Sequence, residues 1–350
     1  MPIFILVAFT LVALMGAYYY FFLRRMGEAW GWKNDGWKAR GLRILISLLL
    51  TLSILRMRSV VCLFVLHVFF LAMVCDLLHL PFRRFRKVQK LYLSGLIPVG
   101  LTVVALVFGY FHMQRVQPAY YTVETPGVEL RVAFLSDLHY PNAMTAERLQ
   151  SICDEIEAAQ PDLFLLGGDI IDEGTEDEEI RACISILDSI ESTYGSYFIC
   201  GNHDNLFRGL SSASVLMEAL ENSHIRLLAD EAVQIEDLTL IGRKDLTDGS
   251  RKALSNLIPQ GAEYVLSVDH QPLDAELAAE QGADLMLSGH THNGQIWPIG
   301  YINALLGPKY GHYRFGDMDL IVSSGIVGWA YPIRTQGQCE YVILDLKNTK

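Results

Sequence analysis

The chain has 350 residues, enough for more than one folding unit, and 51% of them are hydrophobic. Residues up to Arg115 carry 14 Lys/Arg against 3 Asp/Glu, a net of +11, while those from Val116 onward carry 14 against 36, a net of −22; the two sum to −11. Such asymmetry marks two regions in different surroundings, and the acidic second region argues against a broad electrostatic grip on nucleic acid.

Residues 1–113 read as a helical membrane unit. Apolar runs cover about residues 3–23, 42–55, 60–80 and 91–111. A spanning helix needs about 20 apolar residues. Three runs meet that length; the second is marginal, with a re-entrant or interfacial segment as its alternative. The loop after the first run holds Arg24, Arg25, Lys33, Lys38, Arg40 and Arg43, and the loop after the third holds Arg83, Arg84, Arg86, Lys87 and Lys90. Only Arg56 and Arg58 lie between the second and third runs. Basic loops stay cytoplasmic. Both rich loops are inside only if all four runs span, which makes this a multi-pass cell-membrane protein with everything after Phe111 on the extracytoplasmic side. The start, "MPIFI", lacks the basic segment of a cleaved signal peptide. His67, Asp76 and His79, in or near the third run, read as interfacial or helix-packing residues. Six cysteines include no CxxC, and buried thiols are favoured over a disulfide framework.

Residues 114–127 read as a connector, with Pro118, Pro126 and no periodicity. From 128 to 350 strand and helix patterns alternate. "LRVAFLS", "DLFLLGG", "GSYFICGN", "AEYVLSVDH" and "ADLMLSGH" are β-type runs, and "TAERLQSICDEIEAAQ" has helical spacing. Short strands fill the middle, and "HYRFGDMDLIVSSG" and "CEYVILDL" close the chain as sheet. Periodicity gives mixed α and β; helices covering two packed sheets, a four-layer α/β/β/α sandwich, would suit it.

Each strand run stops in a polar loop: Asp137 and His139; Asp169 and Asp172; Asn202 and His203; His270; His290 and His292. Ligands sit outside the carboxyl ends of strands in open α/β sheets. Carboxylate, imidazole and amide oxygen are ligands for Mn, Fe or Zn. Alternate residues of an extended segment point the same way, so Asp137 and His139 are expected to reach one metal together, and His290 and His292 to face one site. Seven of these nine residues as ligands suit two divalent ions sharing a carboxylate, the usual device for phosphate-ester hydrolysis.

The series Asp-x-His, Gly-Asp-x-x-Asp, Gly-Asn-His-Asp, His-x-Pro, Gly-His-x-His resembles the calcineurin-like metallophosphoesterase superfamily, and "SSGIVGWAYPIR" with "GHTHNGQ" resembles its membrane-attached bacterial branch. The resemblance implies that Asp137, His139 and His292 bind one metal, that Asn202, His270 and His290 bind a second, and that Asp169 bridges them. It implies that His203 faces the phosphate and protonates the leaving group, oriented by Asp172, while a metal-bridging hydroxide attacks phosphorus. Asn293 departs from the pattern, where relatives often have glycine. The implied protein is a membrane-tethered phosphoesterase acting on phosphomono- or phosphodiesters, with a lipid head group or cell-envelope phosphodiester as candidate substrate. The alternatives are a catalytically silent metal-binding sensor or scaffold and a nucleotide-sugar-lipid pyrophosphatase.

Overall fold

A computed structural model describes residues 2–32, 36–56, 59–79, 81, 84–204 and 211–349. Lys33, Arg58 and Arg83, counted above among the loop charges, lie outside the described residues. The chain divides into two compact units, residues 1–108 and 109–350.

The first unit is helical: α1 (Pro2–Ala29), α2 (Trp37–Leu52), α3 (Val60–His79), α4 (Arg86–Leu93) and most of α5 (Leu96–Met113). Among the described residues, α3 and α5 are the two helices long and apolar enough to cross a membrane. The expected run 91–111 is interrupted. Its start belongs to α4, and Gly95, at φ 74, turns the chain before α5 begins. A glycine in the left-handed region ends a helix without steric cost. The basic stretch expected as loop is therefore partly helical.

Met15, Tyr19 and Phe22 of α1 pack on Val65, Val68 and Ala72 of α3. Arg25 and Asp76 form an ion pair at 2.7 Å, and Tyr18 Oη donates to Asp76 Oδ2 at 2.8 Å. His67 Nδ1 lies 2.9 Å from the Leu63 carbonyl of its own helix, and His79 stacks on Tyr92. The three polar residues of the third run thus join helices or bond within one.

The second unit begins with the end of α5 and continues as β1 (Val116–Thr125), β2 (Leu130–Leu135), α6 (Ala146–Ala158), β3 (Leu163–Leu166), α7 (Asp177–Leu187), β4 (Ser196–Phe198), α8 (Ser211–Glu221) and β5 (Ile225–Leu227). It goes on through β6 (Glu231–Ile235), β7 (Leu238–Gly242), β8 (Tyr264–Val268), α9 (Ala275–Glu280), β9 (Leu285–Ser288), α10 (Ile299–Asn303), β10 (Gly311–Phe315), β11 (Met318–Val322) and β12 (Cys339–Asn348). Two six-stranded sheets result, in the orders β1-β12-β2-β3-β4-β5 and β10-β11-β9-β8-β7-β6.

Side-chain alternation builds the layers. Val132 and Phe134 of β2 point between the sheets, as do Leu165 of β3, Leu266 of β8 and Leu287 of β9. Ala133, Leu135, Phe164 and Leu166 point the other way, onto Leu149, Ile152 and Ile156 of α6 and Ile180 and Ile184 of α7. On the far side, Met286 and Val265 pack with Ala275 and Ala278 of α9. Strand period 2 therefore feeds three apolar layers, which is a four-layer stack. Cys153, Cys183, Cys200 and Cys339 are free thiols buried in the layer next to α6 and α7.

One expectation fails. Residues 116–125 are a strand, not a connector, paired in parallel along its whole length with β12, from Val116↔Cys339 to Thr125↔Asn348. Pro118 conceals it, because proline argues against a central strand. It is tolerated here because β1 is the sheet's edge.

Candidate metal centre

β2, β3 and β4 run parallel in one sheet, and β8 and β9 run parallel in the other. The loops beyond their carboxyl ends carry the sequence-predicted residues. None of these loops continues extended. Asp137, His139, Asp169, His290 and His292 all have φ between 44° and 69°. Non-glycine residues held in the left-handed region cluster at functional sites. The expected alternation therefore does not operate. His290 and His292, two residues apart, go to different groups: one contains Asp137, His139 and His292, the other Asp169, His270 and His290.

In the first group His139 Nδ1 stands 2.9 Å from Asp172 Oδ1 and His292 Nδ1 stands 3.1 Å from the Val327 carbonyl. Both acceptors require the proton on Nδ1 of a neutral ring. Each Nε2 then presents a lone pair, and the two Nε2 atoms are 3.3 Å apart, with Asp137 Oδ1 3.6 Å from that of His292. In the second group His270 Nδ1 is 2.8 Å from the Gly167 carbonyl. Its Nε2 points at Asp169 Oδ2 (3.0 Å) and His290 Nδ1 (3.3 Å). With both rings neutral, the facing Nε2 lone pairs of His139 and His292 repel unless a cation stands between them, and the Asp169 carboxylate draws a proton or a cation to His270 Nε2. Asp169 Oδ2 also lies 3.9 Å from His139 Nε2, so this carboxylate touches both groups.

Asn202 adds a further sign. Its neighbours are fixed: Gly201 N–H donates to Asp204 and His203 N–H to Asp169 Oδ1 at 2.8 Å. The Asn202 Oδ1 atom is buried without a hydrogen-bond partner. An orphaned carbonyl oxygen beside two imidazole–carboxylate groups fits a divalent cation. Gly201 permits this approach, since a Cβ there would fall 2.2 Å from Asp169 Oδ1.

Electrostatics follow from burial. On protein groups alone, burial works to raise the Asp169 carboxyl, but His270, with His139 and His203, holds it far below the usual range. Burial likewise works to lower His270, and Asp169 overrides it, pushing the imidazole up to about 10. His292 lacks such a close partner, and burial takes it down to about 3. His290 is lowered by burial and by His270.

At the rim, His203 Nδ1 is 3.1 Å from Glu173 Oε1 and 3.6 Å from Asp172 Oδ1. Two carboxylates, Asp172 and Glu173, thus share the contact with His203. Asp172 makes its shorter contact with His139, and Glu173 is the carboxylate nearer to His203. Sequence reasoning could not separate two adjacent acids. The Trp329 ring lies 5.4 Å from that of His203.

Three supporting residues escaped sequence reasoning. Buried Asp204 accepts from the backbone N–H groups of Asp169, Ile170, Ile171 and Gly201, locking two ligand loops together. Burial, then the nearby Asp169 charge, raise its carboxyl to about 6. Fully buried Arg334 donates to the carbonyls of Ser324 and Val327, both at 2.8 Å. Gln295 bonds to Tyr331, Ile333 and Trp329, pinning the segment that carries Arg334. Their only signal was position within the quoted blocks "GNHD", "GHTHNGQ" and "SSGIVGWAYPIR".

Residues 130–294, within the second unit, match the calcineurin-like phosphoesterase family model. An uncharacterized metallophosphoesterase of Campylobacter jejuni is 30% identical over 240 residues, 65% of this chain and 62% of that one. A bovine transmembrane protein with metallophosphoesterase domain is 29% identical over 291 residues, 75% of this chain and 64% of that one. The chain therefore spans less than two thirds of the length of these relatives. Bacterial and vertebrate relatives match at similar identity, so the likeness is not confined to a bacterial branch. A purple acid phosphatase from yellow lupin superposes with a TM-score of 0.39 at 13% identity over 57% of this chain and 45% of that one.

Proposed function

We propose that the calcineurin-like phosphoesterase domain at residues 130–294 is the catalytic part of a membrane-tethered phosphoesterase that uses two divalent cations to hydrolyse phosphomono- or phosphodiesters. The observation that carries this reading is the pair of buried imidazole–carboxylate clusters, Asp137/His139/His292 and Asp169/His270/His290, joined by Asp169.

Asp137, His139 and His292 would hold one cation, and Asn202, His270 and His290 the other, with Asp169 shared. Mn, Fe and Zn all suit this donor set. Such a pair, when bound, acidifies water and offsets charge developing on phosphorus. The chain's own residues supply the rest. His203 stands at the rim, where it can bind a phosphate oxygen and hand a proton to the departing oxygen. Glu173 and Asp172 hold its ring. Asp204 keeps the Asp169 and Asn202 loops in register.

The membrane part supports tethering. α3 and α5 are long and apolar enough to cross, and α1 and α2 coincide with the two further apolar runs of the four-span reading. With basic loops inside, the phosphoesterase domain is extracytoplasmic.

Asp169→Asn tests the reading. It removes half of the shared carboxylate and places an N–H₂ among nitrogen lone pairs. Metal-dependent hydrolysis of a generic phosphodiester is expected to fall by about a thousandfold or more, as when a group central to charge stabilisation is lost. Wild-type turnover by this variant overturns the assignment.

A further inference from the structure

The second unit carries an apolar surface that its hydrolytic chemistry does not use. Ten large hydrophobic side chains of residues 109–350 are exposed among the described residues, and five of them fall within nine positions: Trp297, Ile299, Tyr301, Ile302 and Leu305. Leu305 is 85% exposed and Tyr301 67%. A contiguous patch of this kind marks a protein or membrane interface.

Two sets of contacts fix where this patch sits. The first ties it to the metal loop. Gly294 follows His292 by two residues and lies against Gly300 so closely that a Cβ on Gly294 would fall 2.1 Å from Gly300 Cα. The second ties it to the point where the chain enters the unit. Trp297 N–H donates to Thr335 Oγ1 at 2.9 Å, and Gly300 N–H to Gln336 Oε1 at 3.1 Å. The same 333–337 segment holds the last turn of α5: Arg334 N–H donates to the Gly109 carbonyl at 3.0 Å, and His112 Nε2 is 2.7 Å from the Gly337 carbonyl. α5 is one of the two helices apolar and long enough to span a membrane. Tyr110 and Phe111, on that last turn, are exposed as well. One segment, 333–337, therefore holds both the apolar stretch and the end of an apolar helix, and the Gly294–Gly300 contact ties that stretch to the metal loop.

We propose that residues 297–305 dip into the head-group region of the bilayer and present the rim of the metal centre to phosphoesters of membrane lipids. Tryptophan and tyrosine beside aliphatic side chains are the residues that settle at that depth. The net of −22 over residues 116–350 favours zwitterionic over anionic lipid. The lipid substrate class rests on the phosphoesterase reading above; the docking of residues 297–305 does not.

The test uses the full chain in phosphatidylcholine nanodiscs, with a photo-crosslinking side chain replacing Leu305 or, as a control, the exposed Glu263, which precedes β8 at the opposite end from His270. Lipid adducts at position 305 are expected roughly tenfold above those at 263. Equal adducts, or adducts to protein in place of lipid, overturn the docking. In parallel, Ile302→Asp with Leu305→Asp is expected to lower turnover of a phosphodiester lipid in the disc roughly tenfold while leaving a soluble nitrophenyl phosphodiester within about twofold. Equal loss on both substrates overturns the presentation of lipid. If the wild-type chain turns over neither substrate, the phosphoesterase reading falls, and the crosslinks still decide the docking.

Discussion

At the scale of single residues, the candidate metal centre is legible because side chains able to ligate a metal stand at the carboxyl end of one strand after another. What periodicity misjudges is direction. His290 and His292 share a segment, yet φ values of 69° and 48° turn them to different clusters. Residues that act through backbone groups leave still less trace, since a buried carboxylate accepting four N–H bonds, as Asp204 does, has no characteristic spacing. Arg334 is the sharpest case. Its guanidinium fixes the Val327 carbonyl at 2.8 Å, and that carbonyl takes the Nδ1 proton of His292 at 3.1 Å. Such a partner fixes a ligand's tautomer, and its loss typically costs about 10–100-fold in metal affinity. Arg334→Lys keeps the charge but loses the planar fork, whose Nη2 donates to the Ser324 and Val327 carbonyls while its Nη1 donates to the Gln338 carbonyl. Calorimetric titration is expected to show one of two metal equivalents weakened by about 10-fold or more, and the other spared. Equal weakening of both would point to general loosening of the fold.

At the scale of elements, helices and buried strands follow their sequence patterns closely. α6 spans Ala146–Ala158 inside the run "TAERLQSICDEIEAAQ", as its spacing predicts, and β2, β3, β8 and β9 lie inside the apolar runs. β1 was hidden by a local signal that its position makes harmless. On an edge strand, alternate N–H groups face solvent, and Pro118 loses nothing if its nitrogen is one of these. The nitrogens of Gln117 and Ala119 must then face β12. Ala119→Pro is therefore expected to remove a ladder bond to β12 and cost about 3 kcal/mol, whereas Pro118→Ala stays within about 0.5 kcal/mol. Amide hydrogen exchange along Cys339–Asn348 reads the difference, with faster exchange in the first variant only. Equal exchange in both would mean that the pairing of β1 contributes little. The break at Gly95 is a second lesson: an apolar run locates a membrane segment but not the turn within it.

At the scale of the whole molecule, the charge split of +11 and −22 is the most telling feature of the sequence, and the division into residues 1–108 and 109–350 follows it within a few residues. The asymmetry has a directional consequence. Lys and Arg near the ends of spans oppose translocation, whereas acidic residues contribute little to topology. Arg24 and Arg25 at the end of α1, Lys38 and Arg40 at the start of α2, and Lys87 and Lys90 in α4 all belong on the cytoplasmic side if the chain crosses four times. An even number of crossings after an outside start returns residues 109–350 to the outside. That orientation also suits the docking proposed for 297–305, since an anionic cytoplasmic leaflet would repel the acidic residues 116–350. A reporter fused after Lys350 and active only outside the cytoplasm is expected to give full signal. Weakening the bias by changing Lys87 and Lys90 to Glu is expected to reduce it. Activity of a cytoplasm-only reporter at the same position would overturn the orientation. It would move the metal centre to the cytoplasmic leaflet and leave its lone-pair geometry untouched.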